Sequence, residues 1–167
     1  MAAMERGAAQ SSTPGPLAGV RVLDLSRILS GPFLTMILAD LGAEVVKLEN
    51  PITGDDTREW APPYQGDQSA YFLAINRNKR GIAVDLKSAQ GREIALRLAA
   101  WADVVVENFR PGTATRLGLG YDALAAPNPR LLSASISGFG RPGPYASAPG
   151  YDSTPRALAV APRSAAS

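Results

Sequence analysis

Five short runs rich in β-branched and apolar residues, each set off from the next by a stretch of helical character, constrain this chain more than anything else in it. Val20–Leu25, Ala43–Glu49, Gly81–Leu86, Asp103–Phe109 and Leu131–Ser137 read as strands. Phe33–Leu41, Ser69–Ile75, Ser88–Trp101, Thr113–Leu117 and Tyr121–Ala126 read as helices between them. This alternation predicts an α/β fold, a Rossmann-like parallel sheet of about five strands with flanking helices and right-handed crossovers. Open sheets of that kind bind ligands outside the carboxyl ends of their strands, so chemistry is to be sought where each strand stops.

The richest strand end is Val104-Val105-Val106-Glu107-Asn108-Phe109-Arg110-Pro111-Gly112, followed at once by Arg116-Leu117-Gly118-Leu119-Gly120-Tyr121-Asp122. A buried-type strand there runs straight into an amide, an aromatic ring, a Pro-Gly turn and a guanidinium. Several kinds of ligand contact converge at one point.

Local punctuation supports the element boundaries. Gly31-Pro32 reads as a loop before a buried helix, Phe33–Leu41, whose apolar residues cover most of its surface. Gly42 fits the stop of that helix. Ser88 is the expected N-cap of the next long helix, and Ile94, Leu96, Leu98 and Trp101 supply its apolar side. Asn50–Gln68 is dense in Pro, Gly, Asp and Thr and reads as a long irregular excursion with a short turn near Trp60. Loops of this length in compact domains are usually functional or mobile. Residues 1–16 read as a disordered tail, 17–152 as the folded domain, and 153–167 as an unstructured end of Ser, Thr, Pro, Arg and Ala.

Composition removes whole classes of chemistry. With no cysteine and no histidine, disulfides, thiol nucleophiles, the usual zinc ligand sets and Ser-His or Cys-His pairs are all excluded. A net charge of +2 with scattered basic residues calls for neither nucleic acid nor an anionic membrane. The apolar runs are too short and interrupted to span a bilayer, so the chain reads as soluble. The N-terminal residues lack a signal-peptide core and the Arg-rich amphipathic pattern of a presequence, which makes the cytoplasm the expected compartment and mitochondria the alternative.

Four local motifs invite readings of their own. Gly138-Phe139-Gly140-Arg141-Pro142-Gly143 has the spacing of a dinucleotide fingerprint after a strand, but Pro142 and Pro144 oppose the helix start that the mechanism requires. A rigid loop is the better reading, and a nicotinamide site is disfavoured. Asn76-Arg77-Asn78-Lys79-Arg80 is a short basic run, usually a solvated surface and sometimes a phosphate contact. Asp24 and Glu49 at strand ends suit capping and ion pairing as well as acid–base work. Asp55-Asp56 lacks the further oxygen ligands of a cation site, so no metal is expected.

Taken together and in order, these segments resemble the family III CoA-transferases, the carnitine dehydratase and formyl-CoA transferase (CaiB/BaiF) group. The resemblance is carried by Leu17–Asp24, Gly31-Pro32, Leu41–Glu49, Val106–Gly112, Ser137–Gly140 and Gly150-Tyr151-Asp152. Gly54–Arg58 with Trp60 and Pro62-Pro63 is similar to the branch handling dicarboxylic acids, the succinate-hydroxymethylglutarate (glutarate) CoA-transferase type. The resemblance implies coenzyme A or acyl-CoA as substrate rather than as a tightly bound cofactor, with a carboxylic acid as the other small-molecule partner. It implies contacts to CoA at Ile28, Leu29 and Ser30, and at Val84, Asp85, Leu86 and Lys87. Further contacts are implied at Asn108, Phe109, Arg110 and Arg116, and at Gly150, Tyr151 and Asp152. Asn50 stands where some members carry a phosphate-facing Arg. These side chains suit CoA, because aliphatic groups and Phe109 can pack on adenine or pantetheine, and Lys87, Arg110 and Arg116 can meet phosphates.

In this family an Asp attacks the acyl-CoA and forms a mixed anhydride, then an aspartyl-CoA thioester that the acceptor acid resolves, which is covalent catalysis by a carboxylate. By the spacing of the resemblance that Asp falls beyond Ser167, and none of the aspartates present takes its place. The segment after Asp152 also departs from the family's pattern. The expectation is therefore an incomplete large domain, inactive in transfer as written. The family's interlocked homodimer is not expected to survive in it. A non-catalytic CoA-binding module, or a fragment of an acyl-CoA racemase of the same family, is the alternative, with a Rossmann oxidoreductase third.

Overall fold

The computed structural model describes residues 14–140, 143–146, 148 and 150. Strands β1 (Arg21–Asp24), β2 (Glu44–Glu49), β5 (Lys79–Ala83), β6 (Val104–Glu107) and β7 (Leu132–Ser135) form one five-stranded sheet. A separate small hairpin pairs β3 (Tyr64–Gln65) with β4 (Gln68–Ser69). The helices are α1 (Ser30–Asp40), α2 (Ala70–Asn76), α3 (Ala89–Trp101), α4 (Thr113–Arg116) and α5 (Tyr121–Ala125), with one turn of 3-10 helix at Asp56–Glu59. The sheet order is β5-β2-β1-β6-β7 and every pair in it is parallel, as the alternation of elements predicts.

Both faces of a parallel sheet must be covered, and here the period of two along each strand does the sorting. Val22, Val45 and Val106 point into one apolar cluster with Ala39 of α1. Their neighbours Leu23 and Val105 point into the other, with Ala95 and Ala99 of α3 and Leu124 of α5. Val22, Leu23, Val105 and Val106 have no solvent exposure at all, so the central pair β1 and β6 is the buried spine of the domain. Ser88 caps α3 by accepting the Gly91 amide at 2.9 Å, and Ser69 caps α2 through the Phe72 amide at 3.3 Å.

Three expectations change. Helix α1 starts at Ser30, so Gly31 and Pro32 lie in its first turn rather than in a loop. Proline is tolerated there because first-turn amides have no partner within the helix. A methyl group at Gly31 would overlap the Ser26 side chain, so glycine lets the helix sit against the tip of β1. Nor is α1 buried all round: Gly31, Pro32, Thr35, Met36 and Ala39 face inward. Leu29, Phe33, Ile37 and Leu41, four residues apart in turn, remain 40–48% exposed. The third strand of the sheet also begins at Lys79 instead of Gly81, which draws part of the basic run into the sheet.

That run is built into the structure. Arg77 pairs with Asp40 at 2.6 Å and Arg80 with Glu44 at 2.8 Å. Lys79 is buried and pairs with Asp24 at 3.1 Å, while also donating to Pro32 O at 2.8 Å and Asn76 Oδ1 at 2.9 Å. Asp24, wholly buried at the end of β1, further accepts the Ser26 amide at 2.9 Å, the Ser26 hydroxyl, and the Thr35 hydroxyl at 2.6 Å. Burial lowers the Lys79 pKa to about 8, and the adjacent Asp24 charge limits the fall.

Removing one member of such a pair strands its partner in a low-dielectric site. The Lys79→Met variant is expected to lose about 3–5 kcal/mol of stability, read from the shift of its urea unfolding midpoint.

Candidate functional site

Strand order reverses at β1, with β2 and β5 built out on one side and β6 and β7 on the other. The carboxyl ends of the strands around that reversal bound a crevice, the ligand position of open α/β sheets. A cleft of about 130 Å³ opens there. Its apolar floor is Leu25, Leu48, Val84, Leu86, Phe109 and Leu117, contributed by the ends of four different strands and by the cap of α4. Its polar lining is Arg27, Glu49, Asn50, Asp55, Asp85 and Lys87. The volume suits one planar ring system rather than a whole ligand, since whole-ligand sites span about 300–1,000 Å³.

Asp55, which also lines the cleft, belongs to a second buried ion pair. Lys47 of β2 and Asp55 of the excursion are 2% and 1% exposed and meet at 2.9 Å. Lys47 Nζ also donates to Ser26 O at 2.7 Å. Asp55 accepts the Thr57 amide and hydroxyl at 3.0 and 2.8 Å and the Ile28 amide at 3.3 Å. Burial pushes the Asp55 carboxyl up, but the Lys47 charge and the Thr57 hydrogen bonds outweigh it and hold the pKa below the ordinary value of 3.8. At the end of β2, Glu49 receives Arg58 in a two-pronged contact of 2.6 and 2.8 Å and the Asp55 amide at 3.0 Å. Its pKa also ends below normal: burial pushes it up, and Arg58 and the Asp55 amide pull it further down. Arg58 completes the arrangement by lying 3.7 Å over the Phe72 ring. The excursion read from sequence as irregular is thus pinned to the sheet by two carboxylate–cation contacts.

The residues expected at the site divide into groups. Asn50, Val84, Asp85, Leu86, Lys87 and Phe109 all line the cleft. Ile28, Leu29 and Ser30 follow Arg27 at its edge, with Ser30 opening α1. Asn108 turns its amide to the backbone of Arg27, accepting from N–H at 2.8 Å and donating to the carbonyl at 2.7 Å. The Asn50 amide oxygen caps its own turn, accepting from Ile52 and Thr53 at 2.8 and 3.1 Å. Arg110 instead lines a larger cavity of about 300 Å³ between α4, α5 and β7, beside Thr115 and Tyr121. Arg116 is exposed on α4 and donates to the Thr113 hydroxyl at 2.8 Å. Gly150 is exposed and packs its backbone against Gly138. Tyr151 and Asp152 lie outside the described residues. Among the described residues 138–140 and 143–146 no helix begins, so these residues supply no helix start for the dinucleotide fingerprint.

Arg27, Leu117 and the Lys47–Asp55 pair were not picked out from the sequence. Arg27 carried a usable signal, since it directly follows the first strand and precedes Ile28. Lys47 carried one too: a lone lysine within an apolar strand of a parallel sheet needs a buried partner.

A parallel sheet reversing at β1, with a cleft of apolar, acidic and basic side chains at its strand tips, defines an α/β protein of the open-sheet type. The family model of CoA-transferase family III matches residues 17–162, and the chain belongs to that family. It is 50% identical over 143 residues to the succinyl-CoA:glutarate CoA-transferase of Homo sapiens, covering 86% of this chain and 33% of that protein. It is 54% identical over 150 residues to an acyl-CoA transferase of Fusarium pseudograminearum, covering 85% and 33%. Among solved structures it superposes on a CAIB/BAIF family protein from Brucella suis with a TM-score of 0.80 and 50% identity, covering 84% of this chain and 38% of that one. The chain spans about a third of the length of the curated relatives it matches.

Both Glu49 and Asp55 have folded pKa values below those of the unfolded chain, so their stabilisation is fully present above pH 4.5 and is lost as pH falls through the folded values. The melting temperature is expected to fall steadily on acidification below that point. In Asp55→Asn the same acid titration should give a shallower fall, measured by circular dichroism.

Proposed function

We propose that this chain supplies the coenzyme A-binding part of a family III CoA-transferase, which moves CoA between an acyl-CoA and a carboxylic acid of the dicarboxylic class. The observation that carries the reading is the cleft at the strand tips, whose lining includes the apolar side chains of Leu25, Leu48, Val84, Leu86, Phe109 and Leu117 together with Lys87 and with Arg27, the latter paired to Asp56 at 2.5 Å. An adenine ring packs against such apolar side chains, and phosphates meet such cations. Lys87 and Arg110 have no side-chain hydrogen-bond or ion-pair partner among the described residues, which leaves both available to a polyanionic ligand. The dicarboxylic class is taken from the relatives, whose names specify succinyl-CoA and glutarate.

Transfer in this reading begins when a carboxylate attacks the acyl-CoA and expels CoA thiolate to give a mixed anhydride. The thiolate then attacks the enzyme's own acyl carbon, releasing the donor acid and leaving an enzyme–CoA thioester. The incoming acid runs the same two steps in reverse and leaves as its CoA ester. The buried carboxylates around the cleft do not suit that role. Asp24, Glu49 and Asp55 are each held by a lysine or arginine, and Glu107 accepts the Phe109 amide at 2.8 Å and the Ser135 hydroxyl. A carboxylate so held is a poor nucleophile, so the described residues bind and orient CoA and another carboxylate performs the attack. The same proposal puts the protein in the cytoplasm or the mitochondrion; no helix among the described residues is long and apolar enough to cross a membrane.

Isothermal titration of the full chain with CoA is the test. Binding competed by ADP is expected, and Lys87→Ala should weaken it about tenfold or more, in line with a lost charge-assisted contact. Absence of heat with CoA would overturn the reading. Transfer from succinyl-CoA to glutarate by this chain would overturn the assignment of the nucleophile elsewhere.

A further inference from the structure

We propose that Asn108 acts on the Ser26–Ser30 turn rather than on the ligand, and that with the buried Lys47–Asp55 pair it holds this turn in the strained shape that borders the coenzyme cleft. The inference deepens the reading of the cleft as a CoA site and rests on it.

Strain is visible at Ile28, whose φ is 68°. That left-handed conformation is ordinary for glycine and tolerable for asparagine, as at Asn78 with φ 62°. For a β-branched side chain it is a genuine outlier and persists only where the surroundings over-determine it. They do so here. The Ser26 amide is held by Asp24 at 2.9 Å, and the Ser26 carbonyl by Lys47 at 2.7 Å. Both backbone groups of Arg27 are held by Asn108, at 2.8 and 2.7 Å. The Ile28 amide points between the two oxygens of Asp55, at 3.3 Å from each. Three consecutive residues are thereby anchored to β1, to β2, to the excursion and to the segment after β6.

Asparagine suits this position because one planar group carries a donor and an acceptor side by side. The last backbone bond between the two central strands is Leu25 N–H to Val106 O at 2.8 Å. Beyond it the strands part and the crevice begins. The Asn108 amide continues the ladder from a side chain, bridging the gap without closing it. With both its polar atoms engaged on Arg27, Asn108 is a positioning residue, and Arg27 and the turn after it present the cleft wall.

Two measurements on the full chain test this. Ile28→Ala and Ile28→Gly both remove the side chain, and glycine is normally the less stable of the two. At an imposed φ of 68° the order should reverse, with Ile28→Gly melting about 2–4 °C above Ile28→Ala. In an Asn108→Ala background that gap should shrink to nothing, because the turn relaxes out of the left-handed region. Asn108→Ala itself should remain folded and bind CoA about tenfold or more weakly. Unchanged CoA affinity in Asn108→Ala, or a glycine–alanine gap indifferent to Asn108, would overturn the proposal. If the unsubstituted chain binds no CoA, the functional reading fails, and the melting order alone then decides whether Asn108 imposes the turn.

Discussion

Two buried lysine–aspartate pairs, one joining the start of β5 to the end of β1 and one joining β2 to the excursion after it, hold this molecule together around its strand tips. Lys79–Asp24 and Lys47–Asp55 have side chains at most 2% exposed, and each carries further hydrogen bonds to the polar groups around it. No buried side-chain nitrogen or oxygen is left without a partner among the described residues. Ion pairs in such places contribute little net stability compared with apolar residues of the same volume, because desolvation offsets their attraction. What they contribute is register. Lys47–Asp55 requires the excursion to lie over the end of β2, Lys79–Asp24 fixes the start of β5 against the end of β1, and any other arrangement leaves a charge alone in a dry interior.

That requirement explains how a loop as long as the segment after β2 becomes part of a site. Asp55 ties it to Lys47, and Arg58 ties it to Glu49, so it returns to the sheet twice within four residues. The cleft between it, the tip of β1 and the segment after β5 therefore has walls set by charge and a floor set by apolar packing. On the proposed reading, a flat ring meets the apolar lining and phosphates meet the charged one.

Helix α1, which covers β1 and β2, serves both the core and the strand tip. It buries Met36 and packs Leu34 and Leu38 against the apolar cluster, while Gly31 against Ser26 and Thr35 against Asp24 bring its start close to the end of β1.

The sequence by itself determined the parallel α/β architecture, the cap at Ser88, the stop at Gly42, and the position of Phe109 at a strand end. These follow from periodicity, capping chemistry and position at a strand end, all properties of a few neighbouring residues. Only the tertiary structure decided that Lys79 belongs to Asp24 and not to a ligand, that α1 exposes one apolar stripe, and that Asn108 serves Arg27, a residue 81 positions away. An amide or ammonium group carries no mark of its partner, because the choice among water, ligand and protein depends on what the fold brings within about 3 Å of it.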